Sequence, residues 1–316
     1  MILALAGGVG GARLAHGLAR VLAPDGLLVA VNTGDDFLHL GLHISPDLDS
    51  VMYKLAGLND PVHGWGVRDE SWNFMAALDR LDGETWFNLG DRDLETHVER
   101  TRRLRAGETL SQVTDALCRA LGIVHPVVPM SDDPVRTVVL SDRGPLPFQD
   151  YFVRLKCAPK VSGFTFDGAA GARPSPALAA ALADPDLAAI VICPSNPFVS
   201  IAPVLSVPAI GAAVAKRRVP AVAVTPIIGG AAVKGPAAKM MEELGAEVSA
   251  AGIARHYGTL IDGFVLDVAD AVHAPAIEAL GTAVVTAPTL MRRDDDERAL
   301  AETTLHFART LSPRSP

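Results

Sequence analysis

Cysteine is scarce in this chain: Cys118, Cys157 and Cys193 are the only three in 316 residues, and none stands in a C-x-x-C pair. That excludes a paired-cysteine zinc site and a dithiol redox pair. Odd in number and far apart, these thiols fit buried, reduced side chains in a cytoplasmic protein. Aromatic residues make up only 5% and are not spaced as a base-stacking platform. G-x-S-x-G and H-E-x-x-H are both missing, so serine-hydrolase and zinc-hydrolase readings have no footing. An excess of basic residues is lacking too. The net charge of −8 argues against a general nucleic-acid binder, though not against a local basic pocket for a nucleotide. Residues Leu187 to Ala215 carry no charge, yet Pro194, Pro197, Pro203 and Pro208 interrupt them. A membrane helix broken that often would leave backbone groups unpaired in lipid, so the stretch reads as strand, loop and short helix. The start, Met1 to Ala6, has no basic region and runs straight into glycines; it reads as a buried strand rather than a secretion signal.

What is present is a composition ordinary for a soluble enzyme rather than a disordered chain: 49% hydrophobic and 20% charged residues. The length suits one large α/β domain with an inserted lobe, or two modest domains. A strand over Ile2–Ala6, a glycine loop over Gly7–Gly11, a helix over Ala12–Leu22 and a strand over Leu27–Val31 form a β-α-β unit, which implies a parallel sheet. Its apolar runs are continuous, as in strands buried on both faces. From about Val51 to Leu121 the chain turns helical and more charged. The α/β rhythm resumes with strands expected over Val135–Leu140, Ala188–Cys193, Ala221–Thr225, Phe264–Asp267 and Ala283–Thr286. A helix opened by Pro236 runs through Glu243, and another is expected over Asp294–Leu311. Ser312–Pro316 is expected to fray. The expectation is therefore an α/β fold, a Rossmann-like parallel sheet with helices on both faces. Residues 1–50 and 126–316 form its nucleotide-binding domain, and 51–125 an inserted, mainly helical lobe.

Several loops carry candidate chemistry. Gly7 to Gly11 lets backbone N–H groups approach an anion at a helix start, which suggests phosphate contact through Gly8, Gly10 and Gly11. It is neither a Walker loop nor a full dinucleotide fingerprint, because Arg13 stands where the third glycine belongs. Arg13 itself reads equally as a phosphate contact or a solvated helix residue. Asn32-Thr33-Gly34-Asp35-Asp36 follows the second strand, where an acid often binds a ribose hydroxyl; two adjacent acids also suit a metal or a capped turn. Ser45-Pro46-Asp47-Leu48-Asp49-Ser50 opens a helix with two carboxylates two residues apart. They suit a shared hard cation such as Mg²⁺, or a plain N-cap with a first-turn acid. Asn88 to Asp93, with His97, is a second polar cluster that suits phosphate, metal or ribose contact, or a helix cap with ion pairs; the loop Pro129 to Pro134 reads equally as a rigid holder of functional side chains or a plain turn. Ser195 and Asn196 lie in an uncharged stretch, where their polar groups need a ligand or local backbone. Lys234, just ahead of the helix opened by Pro236, marks a further anion site or a loop lysine.

Read in order, the segments LAGGVGGARLAHGL, VNTGDDF, HISPDLDSVMY, NLGDRDLETH, PMSDDPVRT, FQDYFVR, CPSNPFVSI and TPIIGGAAVKGPAAKMM resemble the 2-phospho-L-lactate transferases, the CofD/FbiA family of coenzyme F420 biosynthesis. The resemblance implies a reaction. The primary ribityl hydroxyl of the deazaflavin Fo attacks the phosphorus that bears a small acid, in a donor where that phospho-acid is linked to guanosine phosphate. GMP leaves with Mg²⁺ support. Lactate, enolpyruvate and glycerate are the candidate acids. It further implies that Asp49 binds Fo beside the metal, that Asn88 is the second Fo position where some relatives carry lysine, and that the glycine loop and Ser195-Asn196 hold the nucleotide. A homodimer is expected, with no nucleic-acid or membrane partner. The alternative is a YvcK-like regulatory protein that binds nucleotide sugars. Such proteins typically carry a DDGGSSG-like segment after the second strand; here Asp35-Asp36 is followed by Phe37-Leu38-His39, which favours the enzyme.

Overall fold

The computed structural model describes residues 1–312; residues 313–316, most of the segment expected to fray, lie outside the described residues. Strand β1 (Ile2–Ala6) is buried along its length and is followed by helix α1 (Gly8–Val21). The helix starts four residues ahead of Ala12 because the glycines wind into its first turn. Strand β2 (Leu27–Val31) comes next, then a small antiparallel hairpin of β3 (Phe37–His39) and β4 (Leu42–Ile44). Helix α2 (Pro46–Leu55) opens on a proline, whose fixed φ suits that position. Helices α3 (Asn73–Asp79), α4 (Asp93–Arg105) and α5 (Leu110–Ala120) complete the helical stretch.

The boundary expected at residue 51 falls inside α2. Helices α2 and α5 share one core with β1 and β2 through Leu48, Val51, Met52, Leu110, Val113 and Leu117. Helix α3 instead contributes Met75 to a small separate cluster with Ile44 and Leu89.

Strand β5 (Val127–Pro129) pairs with β2 and escaped the sequence pattern, being three residues long and ending in proline. The strand expected at Val135–Leu140 forms as β6 (Arg136–Ser141) but does not resume the parallel sheet. It pairs antiparallel with β7 (Gly144–Pro147) and β8 (Val161–Asp167), and its alternating burial is that of a sheet with one covered face.

The chain continues through α6 (Pro176–Ala183), β9 (Ala189–Ile192), α7 (Ala202–Ser206), α8 (Pro208–Ala215) and β10 (Ala221–Val224). The uncharged stretch is thus strand, loop and helices. The helical pieces Pro197–Ser206 and Pro208–Ala215 meet at 97°, and no single helix among the described residues is long and apolar enough to cross a membrane. A short ribbon of β11 (Ile227–Ile228) and β12 (Ala231–Ala232) precedes α9 (Ala237–Glu243), α10 (Ala250–Tyr257), β13 (Gly263–Asp267), α11 (Ala274–Glu278), β14 (Ala283–Ala287) and α12 (Asp294–Thr310).

Seven strands form one sheet in the order β14-β13-β10-β9-β1-β2-β5, every pairing parallel. Alternate residues of β1 point into two cores, Leu3 and Leu5 into one and Ile2, Ala4 and Ala6 into the other, so both faces are covered. Each fully buried Leu or Ile contributes about 1.5–3 kcal/mol. The strand order reverses between β1 and β9. From there the chain spreads through β2 and β5 to one edge and through β10, β13 and β14 to the other. A crevice opens at the carboxyl ends of the strands at such a point.

Candidate active site at the switch point

The loops after β1, β2, β9 and β10 line a single cleft of about 750 Å³, together with the start of α2 and parts of the helical stretch. Residues singled out from the sequence share its wall: Gly8, Gly10, Asp35, Asp47, Asp49, Asn88, Ser195, Asn196 and Lys234, with Arg13, Asp93 and His97 beside them. Gly11 and Asn32 lie behind it.

The glycine loop is built for close approach. A Cβ on Gly10 would sit 2.2 Å from the Pro194 carbonyl oxygen, and one on Gly11 would sit 2.6 Å from Ser195 Oγ. The loops after β1 and β9 therefore pack backbone to backbone. Ser195 Oγ accepts from Gly7 N at 3.0 Å and donates to Gly7 O at 2.8 Å, clasping the two loops together. The Asn196 side-chain oxygen accepts from Phe198 N and Val199 N and caps the turn that follows. The sequence could not separate a ligand from local backbone as the partner of Ser195 and Asn196; the structure gives the Asn196 oxygen local backbone, its nitrogen the Met240 sulfur, and Ser195 the distant backbone of Gly7.

Within the loop from Gly7 to Gly11, Gly8 alone needs its glycine for backbone freedom, with φ +61° and open space where a Cβ would stand. Its N–H donates to Asp47 Oδ1 at 2.8 Å, and Asn32 Nδ2 donates to Asp47 Oδ2 at 2.9 Å. The positive end of α1 thus faces a carboxylate of the chain itself. Asn32 is wholly buried; its other contacts run to the Val199 carbonyl and from Gly34 N, so it acts as a brace for Asp47.

Asp47 belongs to a buried acidic wall. Burial, with the Asp47 charge beside it, pushes Asp35 well above the ordinary carboxylate range. Burial raises Asp36 to about 7, against a hydrogen bond from Ser45, and Asp47 to about 6, against those from Asn32 and Gly8. One oxygen each of Asp35 and Asp36 is buried without a hydrogen-bond partner. Arg136 and Arg100 lie near enough to Asp36 to favour its ionised form, but the wall's positive charge falls short of offsetting its burial; concentrated carboxylate oxygens of this kind are the donor set a hard divalent cation requires, so Asp35 and Asp47 fit Mg²⁺.

Asp49 faces another way. It is two residues on from Asp47, and successive helix positions two apart do not share a face. Both its oxygens meet the fully buried Arg100 guanidinium, Oδ2 at 3.1 Å, and His97 Nδ1 lies 3.6 Å from Oδ2. His97 Nε2 lies 3.2 Å from Asp93 Oδ2, and the Tyr53 hydroxyl donates to Asp93 Oδ1 at 2.6 Å. Burial opposes the ionised form of Asp93, but His97 and Tyr53 hold it below its ordinary range. The atoms of Asp49, Asp93 and His97 come within 4.8 Å of one another. Arg100 already neutralises Asp49, so this group suits Mg²⁺ less well than the wall formed by Asp35 and Asp47.

Arg100 was not legible as a site residue: it sits in the charged run Glu95–Arg105, whose pattern reads as a solvated face. Tyr53, Phe148, Gln149 and Phe152 also line the cleft unannounced. Among the described residues, Arg13 and Lys234 are the Lys or Arg side chains that line the cleft with these acids. Burial and the nearby Arg13 charge lower the Lys234 pKa. Lys234 Nζ donates to the His63 carbonyl, and Arg13 to that of Met291.

A family model described as 2-phospho-L-lactate transferase CofD matches residues 2–293. The chain is 43% identical over 314 residues to a phosphoenolpyruvate transferase of Kitasatospora aureofaciens, covering 97% of each protein. It is 40% identical to one of Mycobacterium tuberculosis, covering 95% of this chain and 96% of that protein. Among solved structures, a UPF0052-family protein of Bacillus halodurans superposes with a TM-score of 0.64 at 16% identity, over 96% of this chain and 99% of that one; this likeness concerns the fold.

Proposed function

The chain belongs to the CofD family of transferases in coenzyme F420 biosynthesis, and from that membership we propose that it transfers a phosphoenolpyruvate-type group from a guanosine diphosphate-linked donor to the primary hydroxyl of the deazaflavin Fo, releasing GMP. The names of the relatives support enolpyruvate over lactate or glycerate as the acid. One observation carries the reading. At the switch point of a parallel sheet, a single cleft is lined by Asp35, Asp47 and Asp49 together with Arg13 and Lys234.

In the proposed reaction, the acceptor oxygen forms a bond to the phosphorus bearing the acid. The bond from that phosphorus to the bridging oxygen breaks, and the bridging oxygen leaves with GMP. Asp49, fixed by Arg100 and next to His97, accepts the hydroxyl proton. Asn88 hydrogen-bonds the acceptor, whose flat ring system suits the apolar wall around Phe87, Phe148 and Phe152. Arg13 and Lys234 meet the anionic groups of the donor. Mg²⁺, held by Asp35 and Asp47, would supply charge neutralisation of the diphosphate. Asp47 is set for this by Gly8 and Asn32. The protein's remaining contribution is positioning.

The test is purified protein with Fo, Mg²⁺ and each candidate donor in turn, scored by product mass. Product from the enolpyruvate donor is expected. Saturable guanosine nucleotide binding with no product from any donor would overturn the reading in favour of a regulatory binding protein.

A further inference from the structure

Helices α1 and α2 begin at the same end of the molecule, joined where Gly8 N–H meets Asp47. Eight residues along α1 stands His16, and seven along α2 stands Lys54, each about 10–12 Å further on by helical rise. There Glu297 of α12 reaches both: Oε2 lies 2.5 Å from His16 Nδ1 and Oε1 lies 2.9 Å from Lys54 Nζ. Lys54 also donates to Asp294 at 3.0 Å. Glu297 is 2% exposed and Lys54 9%. None of these four residues lines the cleft.

The network is flanked by apolar residues: Leu18, Val51, Leu300 and Ala301 all belong to the surrounding core. A buried ion pair at such a place is weak evidence for stability, since apolar side chains of similar volume would serve as well or better. Its chemistry therefore points to another use. Apolar packing is non-directional and leaves the axial register of two helices loosely fixed. A carboxylate gripping one side chain from each helix fixes it. A metal ion is not needed at the cluster of His16, Asp294 and Glu297, because the Lys54 ammonium already meets both carboxylates.

We propose that Glu297 is a positioning residue: by holding His16 and Lys54 together it sets the register of α2 against α1, and so places Asp47 and Asp49 against the glycine loop. The proposal rests on the transferase reading for its effect on rate, but not for its structural consequence. Misplacement by about 1 Å costs on the order of 100-fold in rate.

The test compares wild type, Glu297→Gln and the apolar pair Lys54→Met with Glu297→Met. The pair variant is expected to stay folded with a melting temperature at or above that of wild type, yet to lose about 10- to 100-fold in kcat. Its affinity for GDP should change by less than about threefold, a small fraction of that loss. Glu297→Gln should lie between. Amide exchange on the same samples should show reduced protection at Gly8 in the pair variant, with β1 protection retained. A pair variant with wild-type kcat overturns the proposal, as does a kcat loss that simply follows lost thermal stability. Unchanged Gly8 protection overturns it even if the wild type shows no transfer at all, an outcome that would separately refute the transferase reading.

Discussion

The Gly8 amide donates its hydrogen to the Asp47 carboxylate at 2.8 Å, so the helix start that the glycine pattern offered to a phosphate is satisfied by the protein's own acid. Two consequences follow: the acidic wall is held in place before any ligand arrives, and it is short of positive charge.

That shortage sets a pH dependence. Asp36 is raised by burial to about 7 and Asp47 to about 6, both above their unfolded values. The native state therefore binds more protons than the unfolded chain between about pH 4 and pH 7, and stability falls as pH rises through that window. Asp36→Asn removes one such group. The variant should gain on the order of 2–4 kcal/mol at pH 7.5 in metal-free buffer, and the gain should vanish near pH 4. Denaturant unfolding at several pH values reads this directly. Equal stabilities at pH 7.5 would show that the nearby Arg136 and Arg100 charges fully offset the burial of Asp36.

Metal removal tests the same wall. Transfer should stop in excess EDTA and return with Mg²⁺. Added Mg²⁺ should raise the melting temperature at pH 7.5 more than at pH 5, because protons and cation compete for Asp35 and Asp47. Full turnover in EDTA would remove the cation from the mechanism.

Asp49 calls for an isosteric change. Removing its side chain would leave Arg100 buried and unpaired, a loss of about 3–5 kcal/mol that would confuse folding with catalysis. Asp49→Asn keeps one oxygen for Arg100 and the side-chain volume, though not the countercharge, and takes away the proton acceptor. Turnover should fall at least about 100-fold, on the usual scale for one electrostatic group, while circular dichroism and guanosine nucleotide affinity stay near wild type. Turnover within threefold of wild type would dissociate Asp49 from the chemistry.

The sequence made the parallel sheet readable because β1, β2, β9 and β10 are continuous apolar runs ending in Gly, Pro, Ser or Asn, and those endings converge on one crevice. It did not reveal β5, whose three residues carry too little periodicity, nor the sheet membership of β6, which depends on pairing with distant β8. Asp47 and Asp49 were legible as candidate residues but their separate partners were not. Spacing shows that two acids open a helix; which face each takes depends on where α4 brings Arg100 and where the first loop brings Gly8.

Glycines in the first loop divide by physical task, and one substitution distinguishes the tasks. At Gly8 a side chain would enter open space but at φ +61°, so its cost is backbone strain. At Gly10 the backbone imposes no such limit, and the cost is contact, since a Cβ would stand 2.2 Å from the Pro194 carbonyl oxygen. That oxygen belongs to backbone and cannot rotate aside, so the β9 loop itself must retreat. Gly10→Ala should destabilise the fold by about 1–3 kcal/mol. It should also weaken the clasp of Ser195 on Gly7 and raise the KM for the donor several-fold, with Fo affinity nearly unchanged. Gly10→Ala behaving as wild type in both unfolding and donor KM would mean that the two loops are not packed backbone to backbone.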